Sequence, residues 1–151
     1  AMTMRFTLDV EETLPGFSVA NIPPDPTPVV ILNENTPQGL PDRIIKDGQS
    51  WSLTTRFRVV GLVADAIGPG TWTLSAHLLN LNGGIDQTIS TTQPYALTIG
   101  ADDYIIVLNV PAGAVPVGLY KLYISVDLDT AATVPVTMSA EGPMMKFYKP
   151  S

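Results

Sequence analysis

The side chains in this sequence best equipped for chemistry are its carboxylates, which gather as Glu11-Glu12, Asp102-Asp103 and the pair Asp127 and Asp129. Two carboxyl groups flanking a sugar ring suffice for glycoside hydrolysis, one protonating the leaving oxygen while the other attacks or activates water. Loop carboxylates and backbone carbonyls also suffice to hold Ca²⁺, and Asp102, Asp103, Asp127 and Asp129 are the residues such an ion would use. Nothing in the chain has the Asp-x-Asp-x-Asp-Gly spacing of a dedicated calcium loop. All three clusters fall at expected strand ends or turns, so solvation is the first expectation for them, Ca²⁺ the second and catalysis the last.

The remaining catalytic inventory is short. His77 is the only histidine and cysteine is absent, which removes multi-histidine metal sites, thiolate nucleophiles and disulfides. There is no Gly-x-Ser-x-Gly elbow, phosphate loop or dinucleotide fingerprint, and Leu81-Asn82-Gly83-Gly84 reads as a turn. No catalytic residue and no cofactor are assigned. His77 belongs on the outer row of a strand, as a surface histidine or one paired across strands.

Contact residues are easier to nominate. Tyr123 falls on a polar row with Lys121 and Asp127, and Tyr123 and Lys121 are therefore candidates for touching a partner or ligand. Trp51 and Trp72 fall on inner rows, which favours packing over a sugar platform. Two apolar, low-charge stretches, Pro28 to Leu32 and Met144 to Tyr148, would accept a neighbouring strand if they lay at free edges. Val30, Met145 and Phe147 are the candidates there, although the flanking prolines, Pro143, Lys149 and Pro150 look like edge blocks.

The elements that must position these residues are strands. Glycine and proline, 12 and 14 in number, separate short runs rich in Val, Ile, Thr, Leu and aromatics. From Ser50 to Val60 the inner row is Trp51, Leu53, Thr55, Phe57 and Val59; from Thr71 to Asn80 it is Trp72, Leu74, Ala76 and Leu78; from Leu119 to Asp129 it is Tyr120, Leu122, Ile124, Val126 and Leu128. The run Asp103 to Val110 is apolar on both faces apart from Asn109, as for a central or covered strand. Further strands are expected at Met4 to Val10, Thr27 to Leu32, Tyr95 to Ile99, Val134 to Ala140 and Met144 to Tyr148. Asn21 to Pro28 is too rich in proline for a central strand and reads as a stiff crossing or an edge. The best helical window, Gly61 to Ile67, amounts to a single turn.

Two segments share one grammar. Trp51 to Val60 is followed by a loop ending Pro69-Gly70-Thr71-Trp72-Thr73-Leu74, and Tyr104 to Val110 by one ending Val117-Gly118-Leu119-Tyr120-Lys121-Leu122. The Gly-x-aromatic-x-Leu opening, best formed at Gly118 to Leu122, resembles a feature of immunoglobulin-like and fibronectin type III-like sandwiches, in which the tyrosine packs at the sheet corner. The resemblance spans Ala101 to Asp129, without the Cys-Trp-Cys framework of antibody domains. It implies an all-β, single-domain protein over residues 2–151: an antiparallel, immunoglobulin-like sandwich of about 7–9 strands with little or no helix.

Composition narrows the partners. A chain of 151 residues can bury roughly 70% of its unfolded surface, and 45% apolar with 15% charged residues predicts an ordered, soluble domain. A net charge of −6 with scattered basic residues gives nothing for nucleic acid to bind. No apolar run is long enough for a membrane-spanning helix, and the start, Ala1 ahead of Met2, reads as the residue of a cleaved tag rather than a signal peptide; either compartment stays open. The expectation is a non-catalytic interaction or assembly module engaging a protein partner or its own copies. A carbohydrate-binding module, Ca²⁺-assisted or not, is the alternative, followed by a carboxylate-only hydrolase.

Overall fold

The structure, a computed structural model, describes residues 2–13, 16–34, 44–46, 49–60, 70–95, 102–130 and 136–148. Among them there is no helix. Eleven strands are present: β1 Met2–Thr7, β2 Asp9–Glu12, β3 Ser18–Ala20, β4 Val29–Glu34, β5 Ile44–Lys46, β6 Trp51–Val60, β7 Gly70–Asn80, β8 Gln87–Tyr95, β9 Asp102–Val110, β10 Gly118–Thr130 and β11 Val136–Tyr148. The excess over the expected number comes from short pieces at sheet margins, β2, β3 and β5.

Alternating side chains divide the strands into two sheets packed face to face. The first joins β1 to β4, β4 and β3 to one edge of β6, and β9 to the other. The second runs β2-β11-β10-β7-β8, and β5 lies parallel to the end of β11. Every strand-to-strand pairing except that of β5 is antiparallel.

The three inner rows read from the alternation are all buried, including Thr55, whose hydroxyl donates to the Ile106 carbonyl at 3.2 Å. Between the sheets the aromatic rings form two nests. Phe57, Trp72, Tyr95 and Tyr104 meet with centroids 4.9 to 6.2 Å apart. Trp51, Tyr120 and Phe147 form the other nest, at 5.7 and 6.0 Å. Tilted and edge-on rings at such spacings contribute about 0.5–1.5 kcal/mol per pair beyond their burial. The Trp72 indole N–H has no hydrogen-bond acceptor among the described residues and lies among these rings, whose faces are weak acceptors.

Several expectations are corrected. Val134 to Ala140 and Met144 to Tyr148 are parts of one strand: Glu141-Gly142-Pro143 looks like a turn in sequence but forms a bulge, with Tyr123 facing Glu141 and Lys121 facing Met144. A bulge is where a sheet tolerates a residue without an N–H donor. The strand expected to begin at Tyr95 ends there, because Gln87–Tyr95 pairs with β7 through small β-branched and hydroxyl side chains; 96–99 fall outside the described residues, as does the turn expected over 61–67. The expected strand Met4 to Val10 divides at Leu8. There the chain leaves β4 and moves to β11 in the other sheet, with the Leu8 N–H donating to the Pro28 carbonyl at 2.9 Å.

The proline-rich segment is neither a crossing nor an edge. β3 and β4 lie in line along the same margin of β6, and Asn21 to Pro28 leaves that margin and returns to it. The excursion contains a cis Pro23-Pro24 bond and is closed by Asp25 N–H donating to the Ile22 carbonyl at 2.9 Å. Ile22 and Asp25 are buried, and so are Val29 and Ile31, although these two occupy the outer row of β4. The excursion therefore roofs that part of the first sheet.

Candidate functional site

On the outer face of the second sheet, strand register lines side chains up in rows across β8, β7, β10 and β11. Ser90, Ser75, Ser125 and Ser139 make one row. Thr88, His77, Tyr123 and Glu141 make the next, and Leu79, Lys121 and Met144 the one after. The first is a floor of hydroxyls, with Ser75 and Ser90 joined at 2.8 Å and Ser139 donating to Glu11 at 2.5 Å. The other two rows rise from it. Tyr123 is 41% exposed, and Leu79 and Met144 are each 43% exposed. His77, Leu79, Asp86, Thr88 and Tyr123 border a shallow depression there.

Sequence placed Tyr123 and Lys121 on this face, and the structure does too. Lys121 reaches Glu141 at 3.1 Å, so its charge is paired within the face. Leu79, Met144 and Ile85, which is 79% exposed in the β7–β8 turn, were not among the candidates. Their signal was present: Leu78-Leu79 and Met144-Met145 are adjacent apolar residues on a strand, so one of each pair has to face outward.

Val30, Met145 and Phe147 go the other way. Val30 and Met145 are fully buried and Phe147 nearly so. Val30 pairs with β1 on one side and β6 on the other, so it is not at an edge, and Phe147 is packed against Trp51 and Tyr120. Their side chains are core and offer no contact surface, because the apolar runs that suggested edges are apolar on account of packing.

His77 is held in place. Its Nε2 lies 2.9 Å from the Ser125 hydroxyl and its Nδ1 3.4 Å from that of Thr88. A hydroxyl within reach of an imidazole is the beginning of an activated nucleophile, but acyl transfer also needs N–H donors aimed at the developing oxyanion. Ser125 sits mid-strand between β7 and β11, on a flat face whose backbone donors lie within the ladders. The pair holds the surface together and does not form a catalytic constellation.

The carboxylates are distributed rather than gathered. Asp103 lies on the outer face of the first sheet and binds the Arg58 guanidinium through both oxygens, at 2.6 and 3.2 Å. The hydrogen bond from Arg58 lowers the Asp103 pKa below its usual value, and Asp103 in turn raises that of Arg58. Asp127 projects from the outer face of the second sheet, between Thr73 and Thr137, and Asp129 is opposite Thr71. Packed sheets are about 10 Å apart, so Asp103 cannot share an ion with Asp127 and Asp129. Asp102, on the inward row of β9, has a partner of its own. No group of three potential metal ligands occurs among the described residues.

Sequence reasoning missed Asp25, which is 8% exposed and receives Arg56 Nε at 2.8 Å and Arg5 at 3.3 Å. The hydrogen bond from Arg56 holds its carboxyl below the ordinary range against the opposing effect of burial. Its signal was the carboxylate set among prolines, Pro23-Pro24-Asp25-Pro26, in a segment stiff enough to aim it. This cluster anchors the roof and leaves no open cleft.

Comparison with protein-family models and with curated proteins finds no match to this chain.

Proposed function

We propose that this chain is a non-catalytic interaction module, a fibronectin type III-like sandwich that presents the outer face of its second sheet to a protein partner. The family reading is supported by connectivity: β4-β6-β9 facing β8-β7-β10-β11, with hairpins β7–β8 and β10–β11 and crossings between the sheets elsewhere, reproduces a seven-strand kernel of that kind. It is supported again at the opening of β10, where the Tyr120 hydroxyl donates to the Pro116 carbonyl four residues upstream at 3.0 Å. A Cβ on Gly118 would come within 3.1 Å of that tyrosine ring, so glycine lets the ring lie back on the loop. This matches the tyrosine corner of such sandwiches.

The observation that carries the function is the cluster of Leu79, Tyr123 and Met144 on three adjacent strands, each two-fifths exposed, beside Ile85 in the neighbouring turn. An aromatic and aliphatic cluster with a charged rim, Lys121–Glu141, on an otherwise hydroxyl-lined face has the composition of an interface centre. The carbohydrate reading keeps one observation, the Tyr123 ring beside the depression at His77 and Thr88. It lacks a wider stacking platform, since Trp51 and Trp72 are buried.

The test is a titration. Protein retained by the immobilised wild-type chain is identified, purified and measured against the wild type and a Leu79→Asp/Tyr123→Asp variant. The expected result is a dissociation constant raised at least about tenfold by the double change, as loss of a central tyrosine anchor produces. Equal affinity would sink the reading, and displacement by a soluble oligosaccharide would transfer the site to the carbohydrate alternative.

A further inference from the structure

We infer that a second copy of this chain docks on the free edge of β9, extending the first sheet across a two-fold axis. The inference rests on the assembly side of the reading above but uses a different surface. β9 was expected to be central or covered; instead it is the margin of its sheet, pairing with β6 alone among the described residues. Its register against β6 is unbroken from Asp102 to Val110, and the strand contains no proline, glycine or lysine. Those residues, together with bulges, are what proteins use to blunt an edge. β8, the other margin on this side of the sandwich, carries Pro94 and a hydroxyl-rich outer row of Thr88, Ser90 and Thr92.

The outer row of β9 explains why a covering is needed. Ile105 is 48% exposed and Val107 43%, and the roof formed by Asn21 to Pro28 stops at Arg56, one strand short of them. The strand is complementary to itself. Two copies placed antiparallel about Ile106 bring Ile105 opposite Val107 and Val107 opposite Ile105, a four-residue apolar cluster across the joint. The same placement sets Asp103 against Asn109 and Asp102 against Val110, so no two like charges face each other. An isologous contact of this type closes on itself after two copies. Each chain has a net charge of −6, so the long-range term opposes association and salt weakens it, whereas the apolar joint is unaffected by screening.

Molar mass by size-exclusion chromatography with light scattering, over a wide concentration range, decides the matter. The expected result is a concentration-dependent dimer that tightens or holds as salt is raised. Its dissociation constant should rise at least about tenfold in Ile105→Lys and Val107→Lys, while Tyr123→Asp leaves it unchanged. Both lysine positions are already half in solvent, and circular dichroism confirms that the variants remain folded. A wild type that stays monomeric at the highest concentration, a dimer indifferent to both lysines, or one dissolved by Tyr123→Asp would overturn the β9 joint. The first two results leave the Tyr123 face to be judged by its own titration, and the third moves self-association onto that face.

Discussion

The two long sides of this sandwich are built in opposite ways. On one, β1 pairs with β4, the chain turns at Leu8, and β2 continues onto β11, so a single segment seals both sheet margins. β5 adds a short parallel cover to the end of β11. On the other side, β8 and β9 close only through core contacts such as that between Tyr95 and Tyr104. Core burial is similar on the two sides, but hydrogen-bond completion is not. What distinguishes an edge that has been finished from one left available is therefore the fate of its backbone, while the residues beneath it are equally apolar.

That contrast can be broken most sharply by truncation at the seal. Leu8 is 1% exposed at the point where the chain changes sheets, and Leu8→Ala should destabilise the fold by about 2–5 kcal/mol. Val107→Thr on the open side should stay within about 0.5 kcal/mol. Parallel urea titrations measure both, and comparable losses would mean that the two sides carry equal load.

An intermediate effect is expected at the bulge in β11. A Cβ on Gly142 would sit 2.9 Å from the Leu122 side chain and 3.1 Å from its Cβ, too close to be relieved by the tip of the leucine alone. Gly142→Ala should cost about 1–3 kcal/mol, as overpacking does. A neutral outcome in thermal unfolding would show that this margin can shift outward, and so is less firmly sealed than the pairing of β11 implies.

The smallest effect concerns the roof and is legible only through pH. Asp25 has a folded-state pKa below its ordinary 3.8, chiefly because Arg56 donates to it. The unfolded chain therefore binds the proton more readily, so the contribution of this carboxylate is complete well above pH 3.8 and is lost as pH falls through the lowered folded value. The wild type should lose stability more steeply than Asp25→Asn on acidification below about pH 4. Identical acid-unfolding curves would remove Asp25 from the account of how Asn21 to Pro28 is held.

Much of the scaffold was legible in the sequence, because inner and outer rows alternate without error in β6, β7 and β10, and period 2 has one solution once a face is buried. The failures have a common origin. Ile105 and Val107 read as covered because an apolar outer row ordinarily is, and local pattern carries no information about which strand ends a sheet. Val30, Met145 and Phe147 read as surface for the converse reason: an apolar run beside prolines looks the same whether it is an edge or the middle of the core. Asp25 and its two arginines are separated by 20 and 31 residues, so their meeting is a product of topology alone. The exposed face at Tyr123 lies between these cases, since its tyrosine and lysine were readable from alternation but Leu79 and Met144 required knowing which of two adjacent apolar residues was already needed inside.

The seal at Leu8 also orders events in time. Ser139 donates to Glu11 across 128 residues of sequence, and β2 finds its ladder on β11, the final strand. During synthesis the residues made among the first thus wait for those made among the last. Closing a loop of that length is entropically slow and gains its contacts late. Until β11 arrives, the nascent chain holds the kernel strands with both of its sides open, so the interval in which neighbouring copies can pair wrongly ends only when the N-terminal segment is laid down.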